Sequence, residues 1–391
     1  MVKLEDIKNY EAYLIEKRRD FHMHPETGFE EFRTSQVIAE ELRELGFKLI
    51  TGVGVTGIIG TLEGPIKGKT VLLRADIDAL SMQEENDVPY KSLNDGKMHS
   101  CGHDTHTAML LGACKFFSEN KDLLEGKLKV VFQSAEEGPT PGGGISVVQE
   151  GHLDDVDGVF ALHITTKYES GKFKIKPGPA MAAPDEFRIR INGFGTHASA
   201  PETGSDVILT AAELITKIQT ITSRNTKAVD SVVISVCTIN GGTSFNILPD
   251  HVDLRGTIRT LNKETRQFVF KRLDEIVNAV SKLNNCKGEL EIIEAYPPLI
   301  NDVNETMFIV GLAKDLIGAK NVEVLTEPSM GGEDFSYYLE KRPGAYGWLG
   351  GRAKNQKEVY FNHNPKFDID ESSLLIGMGM HINTAIEFLK K

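Results

Sequence analysis

The chain reads as an α/β protein in which a mostly parallel sheet flanked by helices carries a smaller β-α-β-β-α-β domain inserted in its second half. Three observations predict this. Apolar runs at 70–75, 127–132 and 156–162 lack polar alternation and are separated by helical patterns, as parallel strands buried on both faces are. Beyond Pro184 the element order becomes that of a ferredoxin-like module. The length, 391 residues, also exceeds what one hydrophobic core usually supports. The expected division is 1–183 with 297–391 as the main domain and 184–296 as the insertion, Pro297-Pro298 marking the return.

Leu4, Ile7, Leu14 and Ile15 sit at roughly helical spacing, and a second helix is expected from a Thr34 cap through Val37, Ile38 and Leu42 to a stop at Gly46. Between them His22 and His24 precede Pro25, a pattern more often a packed turn than a metal site. Gly52-Val53-Gly54-Val55-Thr56-Gly57 matches G-x-G-x-x-G, with Asp76 near the ribose-binding distance. That fingerprint must open a helix, whereas Ile58-Ile59-Gly60 continues as a strand, so a β-hairpin is expected instead. Gly64 to Thr70 resembles a P-loop but is one residue short and precedes a strand, and it is rejected too.

The three apolar strands end in Asp76-Ile77-Asp78, in Gln133-Ser134-Ala135-Glu136-Glu137 and in His163. Ligands of open α/β sheets bind at the carboxyl ends of the strands, so these polar groups should converge. In the insertion, strands are expected at 186–191, 231–239, 251–259 and 289–295, with helices at 206–223 and 263–283. After the return come helices near 305–317 and 333–341, a strand near 345–349 and a last helix from about Ser372.

Met98 to Thr107 supplies a thiol, three imidazoles and a carboxylate beside Gly102, denser chemistry than a packed core requires. If extended, Cys101 and His103 project to one side, as two ligands of one ion must, and a helix should follow with Asp104 or Thr105 as its cap. The candidate ligands are Cys101, His103, Glu137, His163 and His363, a mixed set suited to Zn²⁺ and acceptable to Mn²⁺ or Co²⁺. Five donors exceed what one closed tetrahedral site needs and point to two ions with a position left open. Glu136 and Glu137 would point opposite ways in strand-like backbone, so one can bind metal while the other works as general base. Asp78 is expected to orient a ligand or the base, and Asp76 to do the same or to close the turn.

A formal net charge of −12 argues against binding nucleic acid or an anionic membrane through bulk charge. The four cysteines are scattered without a C-x-x-C pair, which favours a reducing, cytoplasmic setting over a disulfide framework. The first twenty residues hold no signal-like apolar core, and no stretch reaches the ~20 apolar residues needed to span a bilayer.

CGHDTHTA, RADIDAL, AEEG, ALHI, GTHASAP, NILPD, GTIRT and GGEDF, in this order over nearly the whole chain, resemble the dinuclear metallopeptidase-type amidohydrolases. That family includes N-acyl-amino-acid amidohydrolases, hippurate hydrolases, N-acetyldiaminopimelate deacetylases and hydrolases of indoleacetyl-amino acids. The resemblance implies two divalent ions on Cys101, His103, Glu137, His163 and His363, with Glu136 as general base. In the wider family a histidine ligand usually stands at the position of Asp76, so Asp76 is left out of the ligand set and Asp78 takes the orienting role. The insertion becomes a lid and dimerisation domain, whose His197 would reach a neighbouring subunit's site to stabilise the oxyanion. Asn246 and Arg259 are its expected companions, Arg259 gripping a substrate carboxylate. Gly331 and Gly332 should open a helix whose free N–H groups receive a product carboxylate. The expected reaction cleaves the amide of an N-acyl amino acid. The rivals are a dipeptidase or carboxypeptidase with the same machinery, a diaminopimelate-type deacetylase and, more remotely, a non-catalytic metal-dependent binding protein.

Overall fold

The computed structural model describes residues 1–391. A 3-10 turn, Leu4–Tyr10, leads into helix α1 (Glu11–Met23) and then α2 (Phe32–Glu44). Thr34, Ile38 and Leu42 form the buried stripe of α2 at i, i+4 spacing. The cap of α2 is Glu31, not Thr34, which lies inside the first turn. Strands β1 (Lys48–Val53) and β2 (Gly57–Glu63) make the expected antiparallel hairpin. After β3 (Lys69–Asp76) come α3 (His103–Glu119), β4 (Gly126–Gln133), α4 (Gly144–Gln149), β5 (Gly158–Glu169) and β6 (Phe173–Ile175). Strand β5 does not stop at His163: parallel pairing to a later strand carries it six residues further.

The chain then passes through β7 (Gly178–Met181), β8 (Ala183–Asn192), β9 (Thr196–His197), α5 (Val207–Thr220), β10 (Val232–Asn240), β11 (Ile247–Leu248), β12 (His251–Thr260), α6 (Lys263–Leu283) and β13 (Lys287–Ile293). It returns by β14 (Leu299–Asn301), α7 (Val303–Ile317), β15 (Val322–Val324), α8 (Ser336–Lys341), β16 (Gly344–Arg352) and α9 (Ser372–Leu389). Two compact units result, one of residues 1–178, 300–327 and 334–391, the other of 179–299 and 328–333. The boundaries drawn from sequence, 184 and 296, fall inside the second unit, which also takes up 328–333.

The first unit is built on an eight-stranded sheet ordered β1-β2-β4-β3-β5-β16-β6-β15. Its centre, β4-β3-β5-β16, is parallel, and its strands are buried almost throughout, which accounts for their unalternated apolar sequence. Helix α3 is buried from His103 to Cys114 on every face, packed against α1, α9 and β3. A Cβ on Gly377 of α9 would stand 1.8 Å from the Met109 sulfur of α3, so the Met109 side chain fills the notch that the glycine leaves.

The second unit has the antiparallel order β10-β12-β8-β13, the ferredoxin-like arrangement. Phe187, Ile189 and Ile191 alternate inward beneath α5 and α6. Arg188, Arg190 and Arg255 point the other way and pair with Glu186 and Asp253. No helix in either unit is long and apolar enough to cross a membrane.

Candidate metal centre and active site

The site begins with a turn the sequence reading drew wrongly. Gly102 adopts φ 92°, left-handed, and itself caps α3, so His103 is the first helical residue and neither Asp104 nor Thr105 is the cap. A Cβ on Gly102 would stand 2.3 Å from Ile164 Cγ2, so glycine is required by space as well as by torsion. Cys101 and His103 are therefore not on one extended strand. They meet across a tight turn, on the same side.

Cys101 Sγ lies 3.4 Å from His163 Nε2 and 3.3 Å from His363 Nε2, and His363 Nε2 lies 2.8 Å from Glu137 Oε1. Donor atoms of Cys101, His103 and His163 all lie within 4.8 Å of one another, as do those of Cys101, Glu137 and His363. Cys101 belongs to both groups. His103 donates through Nδ1 to the Asp78 carbonyl and carboxylate at 2.9 and 3.1 Å, and His163 donates through Nδ1 to the Ile164 carbonyl at 2.6 Å. Each imidazole is thereby held in the tautomer that presents Nε2, the arrangement that orients ligating histidines. His103 Nε2 is buried without a hydrogen-bond partner, the condition of a ligand atom prepared for a cation. The donor set and this orphaned nitrogen fit a pair of borderline divalent ions.

Glu136 and Glu137 depart from the expected opposition. The strand has ended at Gln133, and Ala135, at φ 51°, turns the chain so that both carboxylates come within ligand distance of His103. Glu136 is buried, with Oε2 3.9 Å from His103 Nε2. Asp78 ties the two sides together, since its second oxygen accepts the Glu137 N–H at 2.9 Å.

His106 and Asp76 are engaged elsewhere. His106 Nε2 accepts the Ile164 N–H at 2.8 Å, so its proton sits on Nδ1 and is donated to Asp76. Asp76 also pairs with the buried Arg74 guanidinium, whose charge disfavours a cation beside it.

Burial and the adjacent Glu137 and Glu136 push the Cys101 thiol far above its ordinary range. Burial works against charge on His103, yet Asp76 and Asp78 prevail and hold it up at about 10. Burial, with His106 alongside, pushes His163 well down. Glu137 resists burial through its hydrogen bond to His363 and the charge of His103, which keep it below the usual carboxylate range. So many acidic groups around buried imidazoles describe a site built for positive charge.

Asn362 escaped the sequence reading. Its amide donates to the Cys101 carbonyl at 2.9 Å and the Ile164 carbonyl at 3.2 Å, and it accepts from Thr165, binding the His363 loop to both other ligand segments. Its place beside His363 was the one available signal. His22, by contrast, is a buried structural histidine on Asp104.

In the second unit the β9–β11 ribbon sets His197 opposite Ile247, next to Asn246. His197 Nδ1 accepts the Ser199 N–H at 3.2 Å, which leaves Nε2–H exposed as a donor. Asn246 accepts from Ser244 through Oδ1. Arg259 is half-buried and forms no ion pair; burial lowers its pKa, and nearby Asp185 is already gripped by Arg266 at both oxygens. Gly331 and Gly332 do not open a helix: α8 starts at Ser336, and the Gly331 N–H is turned to Ser329 Oγ at 3.2 Å.

A profile described as Peptidase family M20/M25/M40 matches residues 72–387. The chain is 40% identical over 388 residues to thermostable carboxypeptidase 2 of Saccharolobus solfataricus, covering 99% of this chain and 98% of that protein. It is 38% identical over 371 residues to N-acetyl-L-cysteine deacetylase of Bacillus subtilis, covering 95% and 86%. Among solved structures it resembles the YXEP protein of Bacillus subtilis, described as a dinuclear metal binding peptidase from the M20 family, with TM-score 0.85, 31% identity and coverage of 98% and 99%.

Proposed function

The chain belongs to peptidase family M20/M25/M40, and from that premise we propose that it hydrolyses the amide bond of N-acyl amino acids, releasing a carboxylic acid and a free amino acid. The observation that carries this is the pair of donor groups sharing Cys101, with the buried Glu136 beside them. Cys101, His103, Glu137, His163 and His363 would hold two divalent ions, Zn²⁺ or Mn²⁺ with Co²⁺ acceptable to the same donors. When bound, such ions polarise the acyl carbonyl and make water acidic enough to attack near neutral pH.

The chain's own groups do the rest. Glu136 takes the proton of the attacking water and delivers it to the departing amine. Asp78 keeps His103 in its Nε2-presenting tautomer and fixes the backbone at Glu137. His197 donates Nε2–H to the developing oxyanion, with Asn246 beside it. Arg259, unpaired and partly desolvated, takes the amino-acid carboxylate. The protein works as a homodimer through its inserted unit, each His197 serving the partner's site. Exposed Phe194, Ile239, Phe245 and Ile247 in that unit support an interface there. A thiol ligand that must stay reduced supports the cytoplasm.

The test is a panel of N-acetyl and N-benzoyl amino acids and unmodified dipeptides, assayed on metal-reconstituted and chelator-treated protein. The acyl amino acids are expected to be cleaved, and chelation to abolish cleavage. Preference for dipeptides would favour the carboxypeptidase reading that the Saccharolobus relative supports, and chelator-resistant turnover would overturn both.

A further inference from the structure

One fully buried cation stands behind the ligand loops and has no part in the chemistry so far. Arg18, on α1, is 0% exposed. Its Nε donates to Asp104 Oδ2 at 2.9 Å, Nη2 to Asp368 Oδ1 at 2.7 Å, and Nη1 reaches Glu371 Oε1 at 3.4 Å. The guanidinium also lies over the Tyr90 ring at 4.7 Å, and Tyr90 OH donates to the other oxygen of Asp368 at 2.8 Å. Asp104 directly follows the ligand His103. Asp368 and Glu371 belong to the segment that follows the ligand His363.

The two ligand loops meet directly through the His363 N–H to the Ser100 carbonyl and the Asn362 amide to the Cys101 carbonyl. Those bonds fix the tips of the loops. Arg18 fixes their bases, joining the start of α3 to the chain entering α9 through one planar fork on a third element. Stability alone does not demand this, because a buried ion-pair cluster can often be replaced by apolar side chains at little net cost. A fork that spans three carboxylates does what apolar packing cannot, which is to set direction and register.

We infer that Arg18 is a positioning residue for the metal centre, holding the Cys101–His103 loop and the His363 loop at the separation that lets both supply one ion. This rests on the metal reading above. Lysine keeps the charge but offers a single point donor, so R18K leaves the carboxylates unequally held and the loops free to drift.

The test titrates metal-free wild type, R18K and D368N with Co²⁺, following the thiolate-to-cobalt charge-transfer band that reports Cys101, with thermal unfolding of the metal-free proteins in parallel. Removing outer partners of ligands typically costs ~10–100-fold in metal affinity, and R18K is expected to weaken Co²⁺ binding within that range and to reduce the band. D368N, at a partly exposed position, is expected to weaken binding less, and it carries the test if R18K does not fold. Wild-type affinity and spectrum in the folded variants, even with lowered unfolding temperatures, would reduce Arg18 to a structural role and overturn the inference. Absence of the band in wild type would instead overturn the metal centre itself.

Discussion

Glu31 shows how much a single side chain can carry without touching substrate. It is fully buried beneath the turn that carries Glu136, accepting Thr56 OH and the Ala135 N–H, and burial pushes its pKa up to about 7. The folded chain thus holds a proton that the unfolded chain releases near the ordinary glutamate value. The stabilisation is complete below that value and is lost as pH rises through about 7. Between about pH 5 and 8, wild type should lose unfolding free energy relative to E31Q. Denaturant midpoints of the two proteins across that window check this, and parallel curves would remove Glu31 as the cause. The gathering of these groups was legible in the sequence, because a thiol, imidazoles and carboxylates set so densely are conspicuous. What was not legible came from backbone torsions. The positive φ values at Gly102, Ala135 and His363 turn Cys101, Glu136 and His363 into place, and only the glycine announces itself in sequence.

At the scale of elements, apolar run length located every central strand, whereas their ends were misjudged where pairing overrode composition. Strand β5 runs past His163 because β16 continues to pair with it, and α8 begins late because the glycines before it form a loop. The α3–α9 contact yields a prediction with a sign that helix propensity alone gets wrong. Alanine outranks glycine in a helix by up to ~1 kcal/mol, yet at Gly377 the added methyl meets the Met109 sulfur with no room. G377A should therefore destabilise the protein, by ~1–3 kcal/mol for an overpacked core, as read from urea unfolding. A stabilised G377A would mean that the Met109 side chain repacks without cost.

For the whole molecule, the two-unit plan was visible in the change of element order near Pro184, and the ferredoxin-like strand order follows it. Gly331 and Gly332, by contrast, looked like a helix start and are not one. Assembly adds a prediction of its own. If His197 serves a partner subunit, mixing an H197A protein with an E136Q protein should restore activity, since one of the two sites in a mixed dimer keeps both groups. Up to about a quarter of the wild-type rate is expected for random exchange. No recovery after confirmed subunit exchange would confine catalysis to one chain.

The account turns on Glu136 acting as a base beside ions it does not bind. Metal content and turnover of an N-acetyl amino acid, measured on the same sample of E136Q, test this most directly. The expected result is two divalent ions per chain with turnover reduced at least ~100-fold, the lower end of what general acid–base catalysis contributes; turnover near the wild-type rate, or loss of the ions, would contradict it.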